Sequence, residues 1–328
     1  MKNLLHKLNS GKNSKQIYYI KSLLRLLTPP FIAQWRRSLV IRSFERMDDE
    51  QRAYIEDRVN YYCKLPMGST LPADAKTLSE HKYGAKRDYP SVYFFDTKEY
   101  TRLFSGRLKW SYCMGDVIHV PDAPSIIKSR PLCEGNENSV VMKLNKVRHF
   151  IFLHDETPFS KKLDIVVFRG AVRMKPGRRE FVEKFFDNPL FNIGDVDKPS
   201  EVNPLYKREK MTIEEHLNYK FIMALEGNDV ASNLKWIMSS NSVAVMPRPT
   251  CETWFMEGRL KPNYHYIEVA SDFSNVEERI RYYIDHPQEA EQIVRNANEY
   301  VAQFKDKKRE NIISVLTLQR YFEATGQL

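Results

Sequence analysis

The chain has 328 residues, 42% of them hydrophobic and 28% charged, a length that allows two globular cores and a composition that excludes an intrinsically disordered protein. Its formal charge is +9, and residues 1–47 carry all of it: Lys2, Lys7, Lys12, Lys15, Lys21, Arg25, Arg36, Arg37, Arg42 and Arg46 stand against Glu45 alone. The remainder is neutral, so no nucleic-acid partner is expected for the body, and no run reaches the eighteen or so apolar residues of a membrane span.

Within the basic arm, Ile17, Ile20, Leu23, Leu24, Leu26 and Leu27 alternate with Lys21 and Arg25 at helical spacing, and Pro29-Pro30 ends that helix. Such a segment either lies in the headgroup layer of an anionic membrane or packs on the body with its basic face in water. Residues 48–65 read as a helix with acids in its first turn. Residues 66–90 read as loop, 92–95 (VYFF) as a short strand, 97–104 as a helix and 108–114 as a second strand ending at Gly115-Asp116. A linker is expected near residues 155–163.

Beyond it, the apolar run 164–168 (DIVVF) is a buried strand with Arg169-Gly170 at its carboxyl end, and 178–186 is a helix. Thr212 and Glu215 stand at capping-box spacing. Residues 219–225 form a strand running into Glu226-Gly227-Asn228, 230–239 a helix, and 242–246 and 264–269 further strands. The segments 276–285, 287–304 and 309–325 are amphipathic helices. The alternation predicts an α/β protein with parallel sheets. Cys63, Cys113, Cys133 and Cys251 are scattered without metal-ligand spacing, so neither zinc nor a disulfide framework is expected, and a reducing cytoplasm fits.

Open parallel sheets bind ligands at the carboxyl ends of their strands, which directs attention to three turns. Arg169-Gly170 offers a donor fork beside a residue that lets backbone approach a phosphate. Gly227 leads into a helix with Ser232, Asn233 and Lys235, where a helix amino terminus and a cation suit a diphosphate. Glu252 follows the strand at 242–246 and is placed to accept from ribose hydroxyls. Each has a plainer reading, as a structural ion pair, a solvated helix residue or a helix cap. No P-loop and no GxGxxG occur.

The blocks FRGAVRMKPGRREF (168–181), YKFIMALEGNDVASNLKWIMSSNSVAVM (219–246) and ETWFMEGRLKPNYHYIEVASDFSNVEERI (252–280) resemble the signature segments of glycosyltransferase family 90, nearest its bacterial lipopolysaccharide branch. The resemblance implies a GT-B fold of two Rossmann-like domains. Its parts would be a basic arm at 1–47, an acceptor-side domain at 48–160, a nucleotide-sugar domain at 161–304 and a final helix at 305–328 crossing back to the first domain. It implies an inverting, metal-independent transfer from a nucleotide-sugar, a UDP-sugar by family, to a glycolipid or oligosaccharide acceptor at the inner face of the membrane.

GRLKWSYCMGDVIHVPDAPSIIKSR (106–130) resembles the segment leading to the family's base aspartate, which falls on Asp116; Asp88, in an R-D-Y-P echo of the base motif, and Asp122 are rivals. Where many relatives carry arginine after the glycine turn, this chain has Asn233, so the diphosphate charge falls to Arg169, Arg173 or Lys235. A non-catalytic nucleotide- or glycan-binding protein, or a membrane-surface scaffold of the same fold, stays open at this point.

Overall fold

The computed structural model describes residues 11–197 and 203–328, so Lys2 and Lys7 of the basic arm lie outside the described residues. Two compact units emerge. The first gathers residues 14–147, 251–256 and 304–328. Its helices are Lys15–Leu26, Pro30–Glu45, Asp49–Tyr62, Ser91–Thr101 and Lys307–Ala324. Local chemistry sets their starts. Asp48 accepts from the Gln51 amide at 2.8 Å, and Asp306 accepts from the Lys308 and Arg309 amides at 3.0 Å each, satisfying donors that the helix itself leaves unpaired. The helix that Pro29-Pro30 was expected to end does stop at Leu26, and Pro30 then opens a second helix as its first residue, where its missing N–H costs nothing.

Residues 92–95 are not a strand. They belong to the helix Ser91–Thr101, and Val92, Tyr93, Phe94 and Phe95 are all buried. A four-residue apolar run has no periodicity that separates a buried helix from a buried strand. The stretch 108–114 divides into Lys109–Trp110, antiparallel to Lys76–Thr77, and Tyr112–Cys113, the edge of a small parallel sheet with Ser125–Ile127 and Ser139–Val141. Cys251–Thr253 pairs antiparallel with Ser129–Pro131. The helix Lys307–Ala324 packs against Asp49–Tyr62 and Pro30–Glu45. At its start, Glu310 accepts from Arg58 (2.6 Å), Lys143 (2.7 Å) and Trp254 Nε1 (2.7 Å).

Among the described residues, the second unit holds 11–13, 148–250 and 257–303. The expected linker near 155–163 is part of its packing: the buried Asp155 carboxylate accepts from Lys162 Nζ at 2.8 Å and from the Asn241 amide at 2.9 Å. Its core is one all-parallel sheet of β1 (Leu163–Gly170), β2 (Phe191–Asp195), β3 (Tyr219–Met223), β4 (Val243–Met246) and β5 (Ile267–Glu268). Its spatial order is β5-β4-β3-β1-β2. The central strands are almost wholly apolar because parallel sheets are covered on both faces. Val166, Val245 and Ile267 show no exposed surface. Pro176–Phe185, Val276–Asp285 and Pro287–Ala302 are its longer helices, and the Thr212–Glu215 capping box forms with both reciprocal bonds.

Candidate active site

Strand order 2-1-3-4-5 reverses direction between β1 and β3, and a doubly wound sheet opens a crevice for ligand at the carboxyl end of that switch point. Here the loops after β1, β3 and β4 meet there and are tied together. The Arg178 guanidinium donates to the carbonyls of Leu225 (2.8 Å) and Glu226 (2.9 Å) after β3 and of Ala171 (3.3 Å) after β1. Burial lowers its pKa from the ordinary arginine value. Lys175 donates to the Asn228 side chain. Glu226 accepts from the Thr250 amide at 2.9 Å and hydroxyl at 2.6 Å, joining the loops after β3 and β4. Arg178 and Lys175 were not singled out from sequence, and Glu226 and Thr250 stood out only as members of turns after strands. Arg178 lies in the family-like block at 168–181, and its carbonyl partners are non-local.

Of the residues expected at the donor site, Gly170, Arg173, Gly227 and Ser232 lie at the carboxyl ends of β1 and β3. A Cβ on Gly170 would meet the Phe168 ring at 2.5 Å, so any larger residue there would have to displace that ring. At Gly227 a Cβ would stand 3.1 Å from the Arg178 guanidinium. Arg173 is exposed, and its amide and that of Val172 donate to the Asp197 carboxylate at 2.8 and 2.9 Å. Arg169 turns along the sheet instead, donating to the Asn192 carbonyl (2.8 Å) and side chain (2.6 Å) on β2. Asn233 Nδ2 reaches back to the Met223 carbonyl at 2.9 Å.

The helix expected at 230–239 is the single turn Leu234–Met238. Lys235 within it is buried and donates to the buried Glu257 at 2.5 Å.

Glu252 belongs to the first unit. It lies opposite Arg130 in the antiparallel pair and is 1% exposed. Oε1 accepts from Arg130 Nε at 2.7 Å, and Oε2 accepts from the Tyr61 hydroxyl. Arg130 also donates to the carbonyls of Tyr61 (2.7 Å) and Ser139 (3.2 Å). Both carboxylate oxygens are therefore engaged within a buried cross-strand ion pair.

Asp116 follows the strand Tyr112–Cys113 in the same unit. Gly115 before it holds φ +130°, a conformation that side chains resist. Lys128, itself buried, donates to Asp116 Oδ1. The next residue is clamped as well: the Val117 amide donates to Ser129 Oγ (3.2 Å) and that hydroxyl donates back to the Val117 carbonyl (3.0 Å). The Asp116 side chain keeps 25% of its surface exposed, so one carboxylate is fixed by a cation while still meeting solvent. Asp88 and Asp122 are exposed. Burial, and then the Asp88 charge, push the Cys113 thiol upward. Among the described residues no cluster of three or more His, Cys, Asp or Glu has metal-ligand geometry, and no helix is long and apolar enough to cross a membrane.

The chain is 40% identical over 306 residues to the O-glucosyltransferase LpsA of Dichelobacter nodosus, covering 93% of this chain and 94% of that protein. It is 24% identical over 226 residues to the uncharacterized protein 179R of Invertebrate iridescent virus 6, covering 56% of this chain and 19% of that one. Residues 139–315 match the sequence profile of glycosyl transferase family 90. With more than half its length matching that profile and a relative aligned almost end to end, the chain belongs to glycosyltransferase family 90 and is a glycosyltransferase.

Proposed function

We propose that this enzyme moves glucose from a nucleotide-sugar, UDP-glucose by family resemblance, to a hydroxyl of a bacterial surface glycolipid of the lipopolysaccharide type, inverting the anomeric carbon. The observation that carries the reading is the Asp116 carboxylate, one-quarter exposed and held by the buried Lys128. In a single displacement the base takes the acceptor hydroxyl proton as that oxygen bonds the anomeric carbon. The bond from that carbon to the diphosphate breaks, and the nucleoside diphosphate leaves with both electrons. Asp116 is the base in this reading, with Asp88 and Asp122 as the alternatives by sequence.

The donor belongs to the second unit, at the switch point of its sheet. Gly227 and Ser232 border the diphosphate there, Arg173 and Lys175 supply charge, and Arg178 holds the loops in shape. The leaving diphosphate is neutralised by these cations without a metal. The two units correspond to the acceptor and donor halves of a GT-B enzyme, and the enzyme works at the cytoplasmic face of an anionic membrane to which residues 1–47 attach it. The match to an O-glucosyltransferase over nearly the whole chain supports the sugar.

Asp116→Asn tests the assignment. Transfer to acceptor falls by about 10²- to 10⁴-fold, the usual contribution of a general base, while donor affinity measured by calorimetry stays within about twofold. A transfer rate within threefold of the parent removes Asp116 from the role.

A further inference from the structure

The helices Lys15–Leu26 and Pro30–Glu45 are docked with their apolar sides outward. The first is anchored by polar groups. The Tyr18 hydroxyl donates to Asp96 Oδ1 at 2.7 Å, Arg25 donates to Glu99 at 2.7 Å, and Ser22 is buried. Residues 18, 22 and 25 recur at helical spacing and define the docked face. Ile20, Leu24 and Leu27 lie on the far side of the same helix, and Leu27 is 77% exposed. The second helix docks through Ala33 and Arg37, the latter stacked 4.7 Å over the Phe104 ring. It turns Phe31, Trp35 and Leu39, four residues apart, to solvent; Phe31 is 72% and Trp35 61% exposed. A soluble helix carries the reverse pattern, with its apolar stripe against the core. Two successive helices with contiguous large apolar residues facing out mark an interaction surface.

Charge selects the occupant. Lys15, Lys21, Arg36, Arg42 and Arg46 are exposed on these two helices, against the single exposed acid Glu45. A second copy of the chain would bring like charges together around the apolar stripe. An anionic bilayer instead gives the cations phosphate partners and the stripe an acyl layer. Trp35 and the flanking arginines match the composition of the headgroup boundary. We propose that the pair of helices is a membrane-insertion element, with Ile20, Leu24, Leu27, Phe31, Trp35 and Leu39 entering the acyl boundary and the basic residues resting on anionic headgroups. This deepens the peripheral attachment proposed above, which by itself requires only that the arm be basic.

The other tryptophans, Trp110, Trp236 and Trp254, are all less than 8% exposed, so fluorescence quenching by brominated acyl chains reports Trp35. The full-length protein is mixed with phosphatidylglycerol/phosphatidylethanolamine vesicles carrying such chains. The emission is quenched, and part of the binding survives about 0.5 M salt, where screening cuts electrostatic attraction to roughly 4 Å. The triple variant Leu24→Ser/Leu27→Ser/Phe31→Ser binds the vesicles about a thousandfold more weakly, at roughly tenfold per partly buried side chain. It transfers sugar to a soluble acceptor analogue at the parental rate. Vesicle binding that is unquenched and abolished by salt overturns insertion while leaving the attachment reading standing. No binding to anionic vesicles overturns both. A lipid-free dimer that the triple variant dissolves assigns the face to a second copy and overturns the proposal.

Discussion

Glu252 separates two roles that predict different measurements, and the buried arrangement allows the size of the effect to be worked out. Its carboxylate is 1% exposed and faces a fully buried Arg130 at 2.7 Å. Removing one partner of such a pair typically costs about 3–5 kcal/mol, because the remaining charge stays buried without compensation. Glu252→Gln keeps an amide oxygen for Arg130 Nε, the Tyr61 hydroxyl can rotate to accept, and Arg130 retains its two backbone carbonyls. The expected loss is therefore smaller, about 2–4 kcal/mol, which lowers Tm by roughly 5–10 °C in a domain of ordinary size. Differential scanning fluorimetry measures the shift, and calorimetry with UDP measures the donor site in the same preparation. The buried-pair reasoning expects a lowered Tm with nucleotide affinity nearly unchanged. An unchanged Tm with a ten- to hundredfold loss of nucleotide affinity refutes it, and returns Glu252 to the ribose role expected from its place after the strand at 242–246.

Three further outcomes follow from the geometry. With Asp116 as the proposed base, Lys128→Met removes its neighbouring cation, so the carboxylate protonates more readily and the acid limb of kcat/KM moves up by about one pH unit or more; an unshifted profile with normal stability removes Lys128 from the positioning role. Under the proposed metal-independent reading, in which Arg173 and Lys175 carry the leaving charge, transfer continues in excess chelator; complete loss restored by manganese or magnesium contradicts this. His81 is pushed down to about 3 by burial and then by Lys98, against an ordinary value of 6.5. The unfolded chain therefore binds the extra proton, and the stabilisation is complete above about pH 6.5 and lost as pH falls toward about 3, at up to roughly 1.4 kcal/mol per pH unit. His81→Gln flattens that acid limb in urea titrations, and a variant with the parental pH dependence excludes His81 as its source.

Local sequence determined the elements whose signals are local. The apolar run 164–168 appears as β1, the Thr212–Glu215 box closes as spaced, and the amphipathic periods at 276–285 and 287–304 give helices because a 3.6-residue stripe can bury itself in only one way. The same rule fails at 92–95, where every side chain is buried and no stripe exists. The site was legible only as residue types after strands. Which loops share the switch point depends on strand order, and the order 2-1-3-4-5 is invisible in a linear chain. Partner choice is likewise non-local. Glu252 meets Arg130 across 122 residues and Lys235 meets Glu257 across 22, so whether a carboxylate or an ammonium is available to a ligand is decided by what the fold packs against it. The sequence marked residues 17–27 as amphipathic and basic, but which side faces the protein was set elsewhere, by Asp96 and Glu99. Their bonds to Tyr18 and Arg25 hold the polar side in and leave the leucines outward.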